Sequence, residues 1–432
     1  MASHDPTLIV GGGIAGLICA RLLTRAGKRV LLLEREDVVG GRVRTTRRDG
    51  FLLDHGFQVL FSTYPALTAE LDLPALQLRE FRPAARIATN QREPALIGDA
   101  LADLSLLWPT LVAPQLSLLD KVRMLQLRYL ATSLSFDACF APRFDRMSTR
   151  EFLQRRGFSA NAIRSFFAPF YGGILLDRSL ESSASVLMYT FKMLAEGRTT
   201  VPADGMGAIP GQLAASLPVG TVRTGTTVTR LVSDATGRVT GVTLANGESL
   251  SASNVVLACD PPAIVSLAIT AHVHVDAPSS SLGCTTVYLR SSTPLLSGAA
   301  LWLNAAPDAT VSHAITITNV APTYAPVGTA LTAATILGAS AVLNDTELIP
   351  RVRTDLFGMD QNAECRSAEL LAVWRVPYSQ YAQPPGSSTR RVPAVTSAPG
   401  LFLASEMGHT SSLEGAARGG KAAAVAVLQG SA

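Results

Sequence analysis

Three glycines near the start of the chain have the spacing of a dinucleotide-binding turn. Gly11, Gly13 and Gly16 follow a short apolar run and lead into a helix-like run. The first glycine of such a turn allows a sharp reversal, the second lets the backbone approach a pyrophosphate, and the third lets helix and strand pack closely. Unpaired N–H groups at the helix N-terminus then face the phosphates. We expect coenzyme contacts at Gly11, Gly13, Ile14, Ala15 and Gly16.

A carboxylate ends the next apolar run, where a ribose-binding acid is expected. The residues at 29–33 predict a second buried strand, and Glu34 follows the third glycine at close to the roughly 20 residues of the dinucleotide fingerprint. A carboxylate there accepts hydrogen bonds from ribose hydroxyls and repels a 2′-phosphate. Glu34, with Arg35 beside it, therefore predicts an adenosine half that lacks this phosphate.

A second glycine pair, Gly40 and Gly41, precedes Arg42. The planar guanidinium of an arginine at such a turn is suited to clamp a phosphate oxygen. The alternative is a solvated surface arginine, because three more arginines follow by position 48. A second nucleotide domain is not predicted, since Gly205 and Gly207 lead to Pro210 rather than to a third glycine.

The elements that must position these residues come from separate parts of the chain. A βαβ unit opens the sequence, a mainly helical stretch with a capping box at Ser148 to Glu151 follows, and strands return with a hairpin signal at Asn246-Gly247. We predict an α/β protein with a discontinuous Rossmann-like nucleotide domain and an inserted α+β substrate domain. The predicted boundaries are 1–81, 195–279 and 375–432 for the nucleotide domain, and 82–194 (mainly helical) and 280–374 (β-rich) for the substrate domain.

Composition narrows the class of protein. The 432 residues suffice for two or three domains, and their net charge is only +4, so nucleic acid is not an expected partner. Hydrophobic residues make up 47% of the chain and charged residues 16%, which favours extensive burial or an apolar ligand cavity. The oligomeric state stays open at this stage.

Cysteine and histidine usage points to a reducing compartment without a metal site. The five cysteines are far apart and form no C-x-x-C pair, so neither a disulfide framework nor a zinc site is predicted. His272 and His274 alternate in an apparent strand but lack a third ligand type nearby. The first strand follows directly on residues 1–6, which leaves no room for a signal peptide, and we expect a cytoplasmic protein.

A leucine-rich segment comes nearest to a membrane-spanning pattern. Asp103, Pro109 and Pro114 interrupt the stretch at 100–118, so a spanning helix is not expected. The favoured interpretation is a set of helical pieces lining a cavity or core, and the alternative is peripheral contact with a membrane surface. Together with the low charge, the leucines at 101–134 favour a hydrophobic small-molecule substrate.

The motifs together resemble those of the flavin amine oxidase and phytoene desaturase superfamily. The matching stretches run from end to end: the glycine turn, Glu34, the residues at 40–42 and 54–56, and the stretches 201–207 and 404–423. The resemblance implies FAD as the cofactor, held in an FAD-binding domain of the glutathione-reductase-like type. The further FAD contacts that it implies are Gly41, Arg42, Gly56, Phe57, Gln58, Val228, Glu406, Leu413 and Ala416.

The resemblance also gives the last helix a role. It implies that the helix opening at Leu413 lies beside the flavin pyrimidine edge, where the positive end of its dipole would stabilise negative charge on the reduced ring. Members of the superfamily usually carry Gly-Asp where this chain has Ser405-Glu406. The longer Glu406 is still able to accept a hydrogen bond there, and an ordinary carboxylate near a helix start is the alternative.

Two departures from the superfamily narrow the reaction. Amine-oxidising members place a lysine near flavin N5 in a Leu-Gly-x-x-x-Lys setting, whereas the segment starting at Leu282 puts Val287 there. The lysine-bound water of those enzymes is therefore expected to be missing. No cysteine follows Cys365, so the FAD is expected to be noncovalent.

Four residues are candidates for catalysis beside the flavin. His55 and His409 lie in flavin-proximal motifs and are suited to proton exchange near neutral pH, with a hydrogen-bonding scaffold role as the alternative. Tyr378 and Tyr381 would flank the substrate, form an aromatic cage for an amine, or pack between domains.

We therefore expect an FAD-dependent oxidoreductase that removes hydride from a largely apolar substrate, of the desaturase type that forms C=C bonds. A flavin amine oxidase forming an imine with O₂ as acceptor is the second interpretation. An isomerase that uses reduced FAD is a third, and a non-catalytic flavin-bound interaction protein is the alternative from another class. The flavin itself performs the difficult step in such enzymes, so few acids and bases are needed.

Overall fold

The structure, a computed structural model, describes residues 5–89 and 92–430. The positions before residue 5 and after residue 430 lie outside these ranges, and they are the outer ends of the first and last predicted segments. They include most of the stretch on which the argument against a signal peptide rests. The strands in chain order are β1 (Thr7–Val10), β2 (Val30–Leu33), β3 (Thr45–Arg48), β4 (Phe51–Asp54), β5 (Leu60–Phe61), β6 (Arg79–Glu80), β7 (Ala84–Thr89), β8 (Arg92–Gly98), β9 (Thr199–Val201), β10 (Val222–Arg223), β11 (Val228–Ser233), β12 (Val239–Leu244), β13 (Ser249–Ser251), β14 (Asn254–Leu257), β15 (Ser281–Ser291), β16 (Leu301–Asn304), β17 (Val311–Thr316), β18 (Ala330–Leu337), β19 (Glu369–Tyr381) and β20 (Leu401–Leu403).

The helices surround these strands, and a π-helical stretch at Ile163–Phe167 leads into the eighth. The helices in chain order are α1 (Ile14–Arg25), α2 (Pro65–Thr68), α3 (Leu107–Val112), α4 (Leu118–Ser133), α5 (Pro142–Asp145), α6 (Thr149–Arg155), α7 (Ala160–Ala162), α8 (Ala168–Leu175), α9 (Ala184–Glu196), α10 (Ala208–Ala215), α11 (Pro261–Ile269), α12 (Asp345–Asp360) and α13 (Leu413–Gln429).

A five-stranded parallel sheet gathers strands from three distant parts of the chain. Its order is β10-β2-β1-β14-β20, and β1 lies at the centre between β2 and β14. Every residue of β1 and β14 is buried, as expected for strands covered on both faces. Helices α1 and α13 pack against each other on this sheet. The predicted discontinuous Rossmann-like architecture is confirmed.

A seven-stranded mixed sheet, of order β19-β15-β18-β17-β16-β7-β8, forms the second layer. One of its faces packs on α12 in an apolar cluster that includes Val287, Trp302 and Ile336. The other face joins the main core, where α8 contacts β16 and β17. This second face therefore borders the space between the sheet and the helices of the inserted part.

Two of the local sequence signals identified above form: the Ser148 half of the predicted capping box and the hairpin at Asn246-Gly247. The Ser148 hydroxyl accepts a hydrogen bond from the Glu151 N–H and so caps α6. The turn at Asn246-Gly247 connects the antiparallel pair β12 and β13. The strand expected around His272 does not form, because His272 takes a left-handed backbone conformation, with φ of 58°, in the turn after α11.

The leucine-rich segment is less buried than expected. Leu116 and Leu127 are buried, but Leu104, Trp108 and Tyr129 are each at least 70% exposed. Leu101, Leu107 and Leu111 line the cavity described below, as the favoured interpretation expects, and the same part of the chain also exposes apolar side chains to solvent. No helix in the described part of the chain is long and apolar enough to span a membrane.

Candidate active site

The glycine turn between β1 and α1 has the geometry that its spacing predicts. Gly11 has a φ of 114°, and a Cβ there would lie 2.7 Å from the backbone of Ala258. A Cβ on Gly16 would lie 2.0 Å from the Gly11 carbonyl oxygen, so helix and strand meet too closely for any side chain. A Cβ on Gly13 would meet nothing within 4 Å. Only the middle glycine therefore faces open space, where a pyrophosphate would approach.

Glu34 is positioned at the end of β2 by backbone hydrogen bonds. Its carboxylate accepts from the Gly12 N–H at 2.6 Å and from the Glu36 N–H at 2.9 Å. The side chain is buried yet borders the cavity described below. Arg35 beside it also borders the cavity and pairs with Glu36. A ribose-binding role for Glu34 stays a prediction, and its preorganisation is consistent with that role.

One cavity of about 1390 Å³ begins at the glycine turn and reaches the second sheet. Ligand pockets for single drug-sized molecules occupy roughly 300 to 1,000 Å³, so this cavity has room for a coenzyme and a second molecule. All of the predicted cofactor-binding residues line it except Gly16, which lies beneath the turn. Aromatic side chains border the cavity at Phe57, Phe166, Phe170, Tyr171, Tyr189 and Phe191.

Arg42 is held by protein groups at the middle of the cavity. Its guanidinium donates to Glu406 Oε1 at 2.5 Å and to the Ser379 carbonyl at 3.0 Å. The Gln58 amide donates to the Arg42 carbonyl at 2.8 Å. Burial disfavours the charge, but attraction to Glu406 outweighs it and raises the pKa of Arg42. The predicted phosphate clamp stays a prediction, with the orientation of its guanidinium set by Glu406.

The N-terminus of α13 reaches the same cavity through Leu413 and Ala416. The Ser412 hydroxyl caps the helix by accepting from the Gly415 N–H. Sequence reasoning missed Glu414, which is fully buried and accepts from the backbone N–H groups of Ala66 and Leu67 at the start of α2. The sequence signal for Glu414 was the place of an acidic residue in the first turn of a helix. That signal does not indicate which other helix the carboxylate contacts.

His55 borders the cavity as predicted, but it is fixed as a scaffold residue would be. Its ring stacks on Trp374 with centroids 4.0 Å apart, and Nε2 lies 2.8 Å from the Thr46 hydroxyl. Burial, with a contribution from Arg44, lowers the pKa of the imidazole. The neutral ring is therefore favoured, and a catalytic role for His55 stays a prediction.

The other three catalytic candidates do not line this cavity, contrary to expectation. His409 lines a separate small cavity beside Leu403, where burial lowers its pKa to about 4. The Tyr381 hydroxyl donates to the Glu406 carbonyl at 3.0 Å, and the Tyr378 ring lies 5.8 Å from the Arg42 guanidinium carbon. Both tyrosines pack with the core cluster behind the wall. Sequence could not show which residues of β19 face inwards, because register shifts interrupt its alternation.

The side chain of Val287 also faces away from the cavity. It is fully buried in the cluster against α12, on the opposite face of β15 from Cys284, which lines the cavity. Side chains alternate along a strand, so the cavity-facing neighbour of Val287 is Thr286. The assignment of Val287 to the flavin-facing position is therefore wrong. A lysine is nevertheless missing from β15, because the chain has only Lys28, Lys121, Lys192 and Lys421.

Polar residues instead form a row across the cavity face of the second sheet. His313 of β17 pairs with Thr335 of β18, Thr335 with Thr286 of β15, and Thr286 with Trp374 of β19. We call these four residues the polar row. His313 and Thr335 line the cavity directly. Sequence reasoning missed the row because its members are brought together only by strand pairing.

Comparison with known proteins places these features in a family. The family model for flavin containing amine oxidoreductase matches residues 14–428. A coproporphyrinogen III oxidase of Propionibacterium freudenreichii is 32% identical over 127 residues, which cover 28% of this chain and 24% of that protein. A phytoene dehydrogenase of Streptomyces griseus is 46% identical over 66 residues, 15% of this chain and 13% of that protein. The matched stretches thus span less than a quarter of either relative.

The fold extends over the whole length of a solved structure. An oxidoreductase from Methanosarcina mazei superposes with a TM-score of 0.75 at 18% identity, over 98% of this chain and 100% of that one. An identity this low supports the fold alone. The family match, however, covers nearly the entire chain, from the start of α1 into the final helix, and includes most of the residues that line the cavity. The protein therefore belongs to the flavin containing amine oxidoreductase family.

Proposed function

We propose that the protein binds FAD noncovalently and forms a C=C bond in a largely apolar substrate, with loss of a hydride from one carbon to FAD and of a proton from the neighbouring carbon to water. The observation that carries the proposal is the continuity of the cavity, which joins the glycine turn to a wall rich in aromatic side chains. A dinucleotide seated at the turn would extend along the cavity past Arg42 and Gln58. The remaining space borders Phe166, Phe170 and Phe191 and suits an apolar molecule.

The residues of the cavity fit FAD in particular. Gly13 leaves a cradle that a Cβ would fill, and Glu34 is suited to an adenosine ribose without a 2′-phosphate. Gln58 borders the cavity with a buried Oε1 atom that has no partner within the described residues. Gly13 would meet the pyrophosphate, Glu34 the ribose, and Gln58 Oε1 a hydrogen-bond donor of the coenzyme.

Noncovalent attachment is supported by the state of the thiols. Cys259 and Cys284 are the cysteines that line the cavity within the described residues. Burial raises the pKa of Cys259 to about 12 and also raises the pKa of Cys284. A thiol that stays protonated is a poor nucleophile. Neither cysteine is therefore suited to attack the coenzyme.

The protein contributes positioning and the exclusion of water. FAD, when bound, supplies the acceptor for the hydride. The N-terminus of α13 at Leu413 presents N–H groups and a positive dipole end, which would favour negative charge on the reduced coenzyme. The aromatic walls exclude water, and holding the substrate in a fixed orientation lowers the entropic part of the barrier.

An amine substrate is less consistent with the cavity. Five of the carboxylates that line it are paired with a cation of the protein: those of Glu36, Glu80, Asp99, Glu196 and Glu406. The other two, of Glu34 and Asp260, accept hydrogen bonds from backbone N–H groups. The two tyrosines considered for an aromatic cage lie behind the wall. A buried ammonium group without a counter-ion is costly, so these walls favour an uncharged reacting centre.

We also propose that the apolar substrate enters from a membrane surface. Leu101, Leu107 and Leu111 line the cavity, and Leu104 and Trp108 beside them are exposed. Apolar side chains around an opening are costly in water and gain free energy at a lipid interface. The entry segment, which we define as residues 101–112, would then let the substrate pass without crossing water.

Anaerobic mixing tests the proposed reaction. Purified holoprotein would be mixed with a polyene, a terpenoid, a porphyrinogen and an amine, while the flavin absorption band is followed. Bleaching by an apolar compound, with a new C=C bond in the product, is the expected result. Bleaching by the amine alone would favour imine formation and overturn the proposal. A colourless protein that takes up no FAD on reconstitution would remove its basis.

A further inference from the structure

The polar row is unusual because its hydrogen-bonding atoms lack partners. His313 Nδ1, Thr335 Oγ1, Thr286 Oγ1 and Trp374 Nε1 are buried, and none has a hydrogen-bond partner within the described residues. The histidine and both threonines are at most 4% exposed. Buried polar groups are normally hydrogen-bonded, and each exception needs an explanation. Four exceptions in one row of a sheet point to a shared purpose.

One end of the row lies against open space, at His313 and Thr335. Residues paired directly across antiparallel strands point to the same face of the sheet. His313 and Thr335 line the cavity, and Trp374 stacks on His55, which also lines it. His313 and Thr335 therefore form part of the cavity floor, and Thr286 and Trp374 continue the row along the same sheet face, opposite α12.

Helix α8 packs closely against the histidine end of the row. Gly173 lines the cavity, and a Cβ on it would lie 2.8 Å from His313 Nδ1. Glycine at this position lets the helix approach the ring without a collision, and His313 still borders the cavity. Burial, together with the nearby Arg178 guanidinium, lowers the pKa of His313 to about 4. The imidazole is thus neutral, with one nitrogen able to donate and the other able to accept.

We infer that the polar row binds an uncharged oxygen group of the substrate, a hydroxyl or a ketone, so that the substrate is amphiphilic rather than a pure hydrocarbon. Neutral imidazole and hydroxyl groups complement such an oxygen. The Arg178 guanidinium near His313 already donates to the Asn304 carbonyl and is attracted by Asp355, so a carboxylate would lose its hydration without gaining a free cation. An ammonium group would find no carboxylate in the row. The inference rests on the proposed function, because it assumes that the cavity floor faces the substrate.

A matched probe series tests the inference through binding alone. Dodecan-1-ol, dodecan-2-one, dodecanoate and dodecane share one apolar body and differ in the oxygen group. Their affinities for oxidised holoprotein would be measured by displacement of a fluorescent apolar dye. We expect the alcohol and ketone to bind at least about tenfold more tightly than dodecane and dodecanoate, the gain of about one good hydrogen bond.

Three isosteric threonine-to-valine variants test whether the polar row causes the preference for the alcohol and the ketone. Thr335→Val and Thr286→Val remove unpartnered hydroxyls, whereas Thr285→Val removes the hydroxyl that donates to the Ala341 carbonyl at 2.6 Å on the other face. The first two should abolish the preference for alcohol and ketone and leave dodecane binding unchanged. They should also leave the unfolding temperature of the ligand-free protein unchanged or raised. Thr285→Val should lower the unfolding temperature and keep the preference.

Other outcomes separate the possible failures. Equal affinity for dodecane and dodecan-1-ol would overturn the inference, even if a hydrocarbon bleaches the flavin and the proposed function stands. A changed flavin spectrum or weaker FAD retention in Thr286→Val without any probe would assign the row to the coenzyme, and would also overturn the inference. If probe binding depends on the polar row but no compound reduces the flavin, the inference would stand and the proposed function would be contradicted.

Discussion

The Arg42 guanidinium lies 2.5 Å from the Glu406 carboxylate, although 364 positions separate the two residues in the chain. Arg42 follows the second glycine pair near the N-terminus, and Glu406 lies just before the final helix. Their ion pair joins the first and last predicted segments of the nucleotide domain across the cavity wall. Both residues were predicted to contact the coenzyme, so the pair links coenzyme binding to closure of the discontinuous domain.

Breaking this pair should weaken both folding and coenzyme retention. Glu406→Gln removes the charge that offsets the buried part of Arg42, and we expect a loss of about 2 to 4 kcal/mol in unfolding free energy. Denaturant titration and FAD retention on gel filtration measure the two effects. The exposed pair of Arg47 and Asp204 is the control. Asp204→Asn should cost less than about 1 kcal/mol and leave FAD retention intact. Equal effects of both variants would refute a special role for Glu406.

Alanine at Gly13 should separate coenzyme binding from folding. A Cβ there meets no protein atom within 4 Å, so Gly13→Ala should fold with a normal unfolding temperature in the apo form while losing FAD. Gly16→Ala should fail to fold, because its Cβ would lie 2.0 Å from the Gly11 carbonyl oxygen. Visible absorbance of the purified proteins, with circular dichroism of the apo forms, checks both expectations. Full FAD occupancy in Gly13→Ala would show that the pyrophosphate lies elsewhere.

Truncation of Val287 should affect stability and not catalysis. The side chain is fully buried in the cluster against α12. Val287→Ala should therefore cost about 2 to 3 kcal/mol through lost burial and a cavity, with an unchanged rate of flavin reduction by any compound found to bleach the holoprotein. Stopped-flow absorbance measures that rate. A slowed reduction at constant FAD occupancy would restore Val287 to the flavin-facing position.

His313 should make the folded protein sensitive to acid. Its pKa is about 4 when folded, against about 6.5 for an unperturbed histidine, so the folded state binds fewer protons. Its contribution to stability is present above about pH 6.5 and is lost as pH falls towards about 4. Between about pH 7.5 and 5, the wild type should lose about 2 kcal/mol more unfolding free energy than His313→Gln.

Denaturant titrations at the two pH values measure this difference, and the exposed His274 provides the control. His274→Gln should keep the acid sensitivity of the wild type. If His313→Gln shows the same loss with pH as the wild type, the buried neutral imidazole is not the source of the sensitivity.

The entry segment should bind lipid through its exposed side chains. Replacing Leu104 and Trp108 with serine removes apolar groups worth about 1.5 to 3 kcal/mol each when fully buried, so vesicle binding should fall at least about tenfold. Co-sedimentation with phosphatidylcholine vesicles measures this change. Val219 and Val327, which are fully exposed elsewhere, are the matched control positions. A double variant with serine at both should bind as the wild type does, and equal loss in the two double variants would argue against a specific surface.

Local patterns determined the nucleotide half of this protein. The spacing of Gly11, Gly13 and Gly16 and the acid at Glu34 predicted a strand-turn-helix-strand unit, because each residue serves a backbone requirement within a few neighbours. Apolar runs likewise predicted the buried strands, and a glycine-rich pattern predicted the final helix. Features of this kind depend on short-range sterics, so one sequence suffices to predict them.

Tertiary structure alone decided which side chains face the cavity. A shift of one residue in the register of a strand turns every side chain to the other face of the sheet. Such a shift would exchange Val287 with Thr286, or Tyr378 with Ser379, on the face that borders the cavity. Sequence gives no account of bulges in β15 and β19, and their pairing is set by contacts between distant strands. The polar row, the Arg42 and Glu406 pair and the exposed entry segment therefore emerged only when strands and helices far apart in the chain were packed together.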